Sequence, residues 1–421
     1  MSDSLDDWGG AEFVLAADRL DTPDVIEAAD PGDMLRQVAS SAAEVRTALR
    51  SCLEADLSAF APDTRPRAIV VAGLGAAGLA GGILGAITGP SSPVQVVAAP
   101  AERLPGWVGA ADAVIAVSGS GAAPETLTVA TEAARRGCRL VGVGAKGSGL
   151  HRIAEQARAP FIPAVAPGPP GSAVPRSMLW GLAIPLLVIA ERLGVARIGP
   201  DVYEQAAGRL EEVSHQCRPA SESFVNPGKS LALDLVGTLP VVWGTSGLSG
   251  VAAQRFADQL SGNAKYPAIV GLLPEAAQGQ IGMLDGPFAP AARRSPGAPS
   301  PAGPLPSVPD DLSGLPDLSS WDLDYEETGP GPASGFTPLR LIVIVDPEQD
   351  QRVAALQRAV TDLAGQRGIG LSELAMDGEH PLVRLAGVVQ LTDYASVYLA
   401  IASGIDPGQA TASADLQARI E

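Results

Sequence analysis

The chain has 421 residues, 46% hydrophobic and 18% charged, which is enough apolar material for two buried cores at the usual ~100–200 residues per domain. Its net charge of −18 excludes nucleic acid and anionic membrane surfaces as partners, because both call for a basic footprint. A small anionic metabolite is still admissible, since backbone amides at a helix start attract negative charge locally.

Residues 1–32 read as an acidic, loosely ordered arm, and MSDSLDDWGGAEF lacks the apolar core of a signal peptide, which points to the cytoplasm. From Asp33 to Cys52, Met34, Leu35, Val38, Ala42, Val45 and Leu49 recur at helical spacing. AIVVAG, VQVVAA, AVIAVSGSG and RLVGVG then read as buried strands, separated by a Gly-rich helix and by a helix over Pro124–Arg136. Short apolar strands alternating with helices predict a parallel sheet covered on both faces, in a first domain over 33–200. The apolar run Met178–Ala190, about 13 residues, falls short of the ~20 that a bilayer demands and reads as a core or interface helix.

VVAGLGAAGLAG from Val70 is echoed by VVWGTSGLSGVA from Val241, roughly 170 residues later. The echo predicts a second, similar lobe over 201–286, resuming at 338–421. Between these parts, 287–337 is rich in Pro, Gly and Ser and reads as a flexible insertion. LRLIVIVD then reads as a buried strand, 347–365 as a helix, and Leu382–Ala402 as a long helix.

Gly73, Gly75 and Gly78 satisfy G-x-G-x-x-G between a strand and a helix. The acidic residue that a dinucleotide ribose requires is missing, since the next strand ends in Val-Ala-Ala-Pro. The loop is therefore a tight turn or a phosphate or sugar contact. Ser118-Gly-Ser120-Gly121, before the helix at Pro124, combines hydroxyls with helix-start amides, a suitable anion cradle. Glu125 in the first turn either complements the dipole or touches ligand. Asn226-Pro-Gly-Lys229-Ser230 has only the end of a P-loop, and no strand precedes it. Cys52, Cys138 and Cys217 read as buried hydrophobes, and His151, His215 and His380 have no metal-spaced partner, so no metal or cofactor is expected.

Strand–GLGAAG–helix followed by strand–VSGSGAAPET–helix resembles the sugar isomerase (SIS) domain. With Pro175-Arg176, NPGKSLALDLVGTLPVVWG, NAKYPA, LLPE and QLTDYASVYLAIASGIDP, the chain from about residue 34 resembles the bifunctional phosphoglucose/phosphomannose isomerase family. The resemblance implies an α/β fold of two SIS-type lobes, each a mainly parallel sheet flanked by helices. It also implies a homodimer and a sugar-phosphate ligand bound by Gly73, Gly75, Ser118, Ser120, Gly121, Glu125, Thr126 and Arg176. The activity it implies is aldose–ketose isomerisation through an enediol, which needs a carboxylate base and a ring-opening acid. At the family's base position stands Gly262, at its histidine Gln278, and at its C-terminal lysine Gln417. Ala77 and Ala123 stand where the family's phosphate loops have serine and threonine. The expectation is a sugar-phosphate binder with weak or absent turnover. The alternatives are an active isomerase that uses Glu275 or His380, and a structural partner with an empty cleft.

Overall fold

The computed structural model describes residues 15–62, 65–99, 103–164, 177–290 and 337–420. Most of the expected insertion, 291–336, lies outside these residues, as does Arg176.

Helix α1 covers described residues 15–21 and is followed by α2 (Pro23–Ala29), α3 (Met34–Ala39) and α4 (Ser41–Glu54). Described residues 15–32 are thus not the loose arm expected. Leu20 and Ile26 are buried in the main core, Asp21 accepts both the amide and the hydroxyl of Ser223, and Arg19 donates to Ala402 O. The helical pattern read over Asp33–Cys52 breaks at Ser40, whose hydroxyl turns back on Gln37 O.

The first sheet comprises β1 (Ala68–Ala72), β2 (Gln95–Ala99), β3 (Ala113–Ser118), β4 (Arg139–Gly144) and β5 (Phe161–Pro163), all parallel in the order β2-β1-β3-β4-β5. Helices α5 (Ala76–Thr88), α6 (Pro124–Arg135) and α7 (Gly149–Gln156) connect its strands. After α8 (Leu179–Arg192), α9 (Pro200–Gln216) and α10 (Pro227–Leu235) comes the second sheet, β6 (Leu239–Gly244), β7 (Ile269–Leu272), β8 (Leu339–Val345) and β9 (Gly370–Ala375). Its order, β7-β6-β8-β9, repeats the first plan, again wholly parallel. Its helices are α11 (Gly247–Gln259), running into a π-helical turn over Leu260–Ala264, α12 (Glu275–Gly279), α13 (Gln351–Gln366) and α14 (Pro381–Ala402). Helix α15 (Thr411–Ile420) closes the described chain.

Strand parity explains how the lobes join, because successive side chains leave a strand on opposite faces. Ile69, Val71, Ile115 and Val117 enter one core, and Val70, Ala72, Val114 and Ala116 another. In the second sheet Val242, Ile342 and Ile344 enter that same first core, while Val241, Trp243, Leu341 and Val343 fill a third. The main core is therefore shared by both lobes. At its centre α14 packs on α9, α10 and α11. By length and hydropathy α14 matches a membrane span, but 94% of that window is buried inside the protein, which identifies a core helix.

Candidate functional site

Strand β1 connects through α5 to β2 on one side and has β3 on its other side, so the loops leaving β1 and β3 diverge. Crevices of this kind, beyond the carboxyl ends of the strands, are where open α/β sheets bind ligands.

The residues at this crevice explain its shape. A Cβ at Gly73 would press on Ala77 Cβ at 2.7 Å and Val117 O at 3.0 Å, and one at Gly78 would meet Gly73 O at 2.9 Å. These two glycines let the β1 loop lie against its helix and against β3. Gly75 has φ +56° and would present a Cβ to open space, so its role is conformational. Gly121 has φ +64°, and a Cβ there would overlap Ser148 Oγ. Gly121 O accepts from Leu150 N at 2.9 Å, which seats the β3 loop on the start of α7.

Ser118 is buried, and its Oγ accepts from Gly121 N at 3.1 Å. Ser120 is exposed, its Oγ accepting from Ala122 N at 3.2 Å, which leaves its hydroxyl proton to donate to a ligand. Thr126 is buried in the first turn of α6, with Glu125 half-buried beside it. Neither α5, with Gly75 at its N-cap position, nor α6, with Ala123 there, has a side-chain cap. Two helix N-termini of 13 and 12 residues thus open uncapped onto one crevice, and their dipoles favour an anion there. Gly73, Gly75, Ser118, Ser120, Gly121, Glu125 and Thr126 all lie along this strand-end edge. Arg176 falls outside the described residues.

Of the candidate catalytic positions, Gly262 and Gln278 carry no titratable side chain, whereas Glu275 and His380 do. Gly262 lies in the π-helical turn, and Lys265, at φ +61°, folds back to donate to Gly262 O at 2.8 Å and Asn263 O at 3.2 Å. Asn263, fully buried, bonds Ser396 Oγ at 2.9 Å. Gln278 and Glu275 both lie on the short α12, Glu275 exposed to solvent. His380 caps α14: its Nδ1 accepts from Leu382 N at 3.1 Å, and burial holds the imidazole below its ordinary pKa. Gln417 belongs to α15, but its side chain lies outside the description. In the NPGKS stretch, Asn226 caps α10 and the buried Lys229 ammonium donates to Pro219 O and Ser221 O, which is a structural use of that motif. Sequence reasoning did not find Ser148, whose contact with Gly121 is tertiary, nor the buried Glu44 discussed below.

Residues 224–420 match the family model of the bacterial phospho-glucose isomerase C-terminal SIS domain. A bifunctional phosphoglucose/phosphomannose isomerase from Caldicellulosiruptor bescii is 25% identical over 339 residues, 80% of this chain and 85% of that protein. Among solved structures, a hypothetical protein from Thermus thermophilus superposes with TM-score 0.61 at 13% identity, over 97% of this chain and 94% of that one. The C-terminal domain of glucosamine-fructose-6-phosphate aminotransferase from Francisella tularensis gives TM-score 0.58 at 14% identity, over 89% and 98%. A glucose-6-phosphate isomerase like protein, also from Thermus thermophilus, gives 0.51 at 16%, over 95% and 98%. These structures establish the fold. Fold and crevice define a SIS-domain protein with two lobes in one chain. Over most of its length the chain is similar to a bifunctional phosphoglucose/phosphomannose isomerase, and its second lobe matches the SIS-domain model of bacterial phospho-glucose isomerases.

Proposed function

We propose that the chain binds a sugar phosphate at the crevice over β1 and β3 and isomerises it weakly or not at all. One observation supports this reading: the starts of α5 and α6 are uncapped, while Gly262 and Gln278 stand where the family resemblance places the base and the histidine. The phosphate would take amides from the starts of α5 and α6 and hydroxyls from Ser118 and Ser120, with Thr126 behind them. Moving a proton between C1 and C2 needs a group that titrates near neutrality, which glycine and glutamine do not supply. Each missing acid or base costs ~10²–10⁴-fold in rate. The protein would then sense or regulate sugar-phosphate metabolism in the cytoplasm, as a homodimer.

Ser120→Ala tests the binding half. Losing one hydroxyl contact to a phosphate, worth ~1.5–3 kcal/mol, lowers affinity for fructose 6-phosphate by ~10-fold or more in calorimetry. Unchanged affinity removes the site. The rival reading, an active isomerase, is favoured by Glu275 standing one helical turn from Gln278. It requires turnover of fructose 6-phosphate that Glu275→Gln abolishes.

A further inference from the structure

Because the lobes repeat one plan, the second has its own switch point between β6 and β8, and a cavity of about 820 Å³ opens there. Gly244, Ser246 and Ser249, at and after the end of β6, correspond to Gly73, Gly75 and Gly78 after β1. The opposite wall comes from the first lobe, Thr88–Val94 at the end of α5.

This crevice differs from the first in being already furnished and filled. Ser246 caps α11 in a capping box with Ser249. Ser246 Oγ donates to Asp346 Oδ2 at 2.6 Å, and the Asp346 amide donates to Thr245 Oγ1 at 3.0 Å. On the other side Arg384 Nε lies 3.3 Å from Asp346 Oδ1 and has no hydrogen bond of its own. The rest of that guanidinium is held by Gly378 O, Glu379 O and the largely exposed Glu348. Asp346 is 3% exposed and Arg384 2%. A buried guanidinium, a hydroxyl and a helix N-terminus converging on one point is an arrangement that receives phosphate. Here it receives the chain's own carboxylate.

We propose that Asp346 is a built-in anion, holding in the second crevice the position of a ligand's phosphate, so that this crevice is closed to phosphosugars. A phosphate brought against the buried carboxylate would be repelled at a few ångströms in a poorly solvated site. Without that carboxylate, Arg384 Nε, Ser246 Oγ and the start of α11 would face the cavity uncompensated. Glu348 keeps Arg384 anchored in that case. Only the number of sites expected in the natural chain rests on the function proposed above.

The test is calorimetric titration of the full chain with inorganic phosphate, comparing natural protein with Asp346→Ser. The expected result is one additional equivalent bound by the variant, weakened ~10-fold when Ser246→Ala is added, since a hydroxyl contact to a charged group is lost. Equal uptake by the natural chain and the variant overturns the proposal, as does a natural chain that already binds two equivalents. If Asp346→Ser does not fold, Asp346→Asn, which keeps the shape and removes the charge, is read the same way: extra phosphate supports the proposal, none overturns it. Because the readout is a difference, a natural chain that binds no phosphate refutes the first crevice alone.

Discussion

Gly121 is confined twice over. Its φ of +64° costs a residue with a Cβ ~1–2 kcal/mol, and the added carbon would overlap Ser148 Oγ. Gly121→Ala should destabilise the protein by ~2 kcal/mol or more and weaken phosphosugar binding, because the loop must lift off α7. Chemical denaturation of the variant beside the natural chain checks the first effect. The glycines and serines of this loop were legible in the sequence because their chemistry is local. Ser148 was not, since it meets the loop only once β3 and β4 pair. The same is true of Glu44, which no motif marks. Its carboxyl is fully buried, accepting from Gly181 N at 3.2 Å with its other oxygen unpartnered, near Arg255 and Asp393. Burial pushes its pKa up from 4.5 to about 8. Between those values the folded chain holds a proton that the unfolded chain has released. Glu44's contribution to stability is thus fully present below pH 4.5 and is lost as pH rises to about 8. The slope is at most ~1.4 kcal/mol per pH unit. Glu44→Gln should flatten it, raising Tm more at pH 8 than at pH 5. An equal change at both pH values would contradict this assignment.

Helices α11 and α14 are the elements on which the second lobe's geometry depends. Arg255 on α11 and Asp393 on α14 form a two-bond ion pair at 2.7 and 2.9 Å, both side chains 5% exposed or less. Asn263, next to the Gly262 position, is bonded to Ser396 one turn further along α14. Removing one partner of such a pair leaves a buried uncompensated charge, costing ~3–5 kcal/mol. Asp393→Ala should lose about that much in urea denaturation, while Arg255→Met with Asp393→Leu should lose less. Elements were legible where the apolar run is unbroken: β1 and β3 are buried along their whole length. β5, β7 and β9 were not foreseen. They are edge strands without full burial: β5 has three residues, β7 is a four-residue apolar run containing Gly271, and β9 is interrupted by Ser372 and Glu373, so each gives too short or too broken a signal. The break between α3 and α4 at Ser40 was missed for another reason: apolar spacing continues across a turn made by serine hydroxyls.

At the scale of the whole molecule, the repeat between Val70 and Val241 was readable as sequence, and the two sheets share its strand order. That the lobes share one core rather than owning two was not readable, because it depends on which strand face turns toward α14. A common core ties the lobes together, so denaturation should be a single transition, seen identically by far-ultraviolet circular dichroism and by tryptophan fluorescence. The repeat also sets the contrast behind the functional proposal. The first lobe's helices α5 and α6 start uncapped, whereas Ser246 caps α11 and Asp350 caps α13. Binding without efficient turnover is the central claim, and proton NMR of fructose 6-phosphate with near-stoichiometric protein tests both halves in one tube. The account predicts broadened ligand signals that sharpen with Ser120→Ala protein, and no growth of glucose 6-phosphate or mannose 6-phosphate signals. Rapid growth of either product, or ligand signals that never broaden, would contradict it.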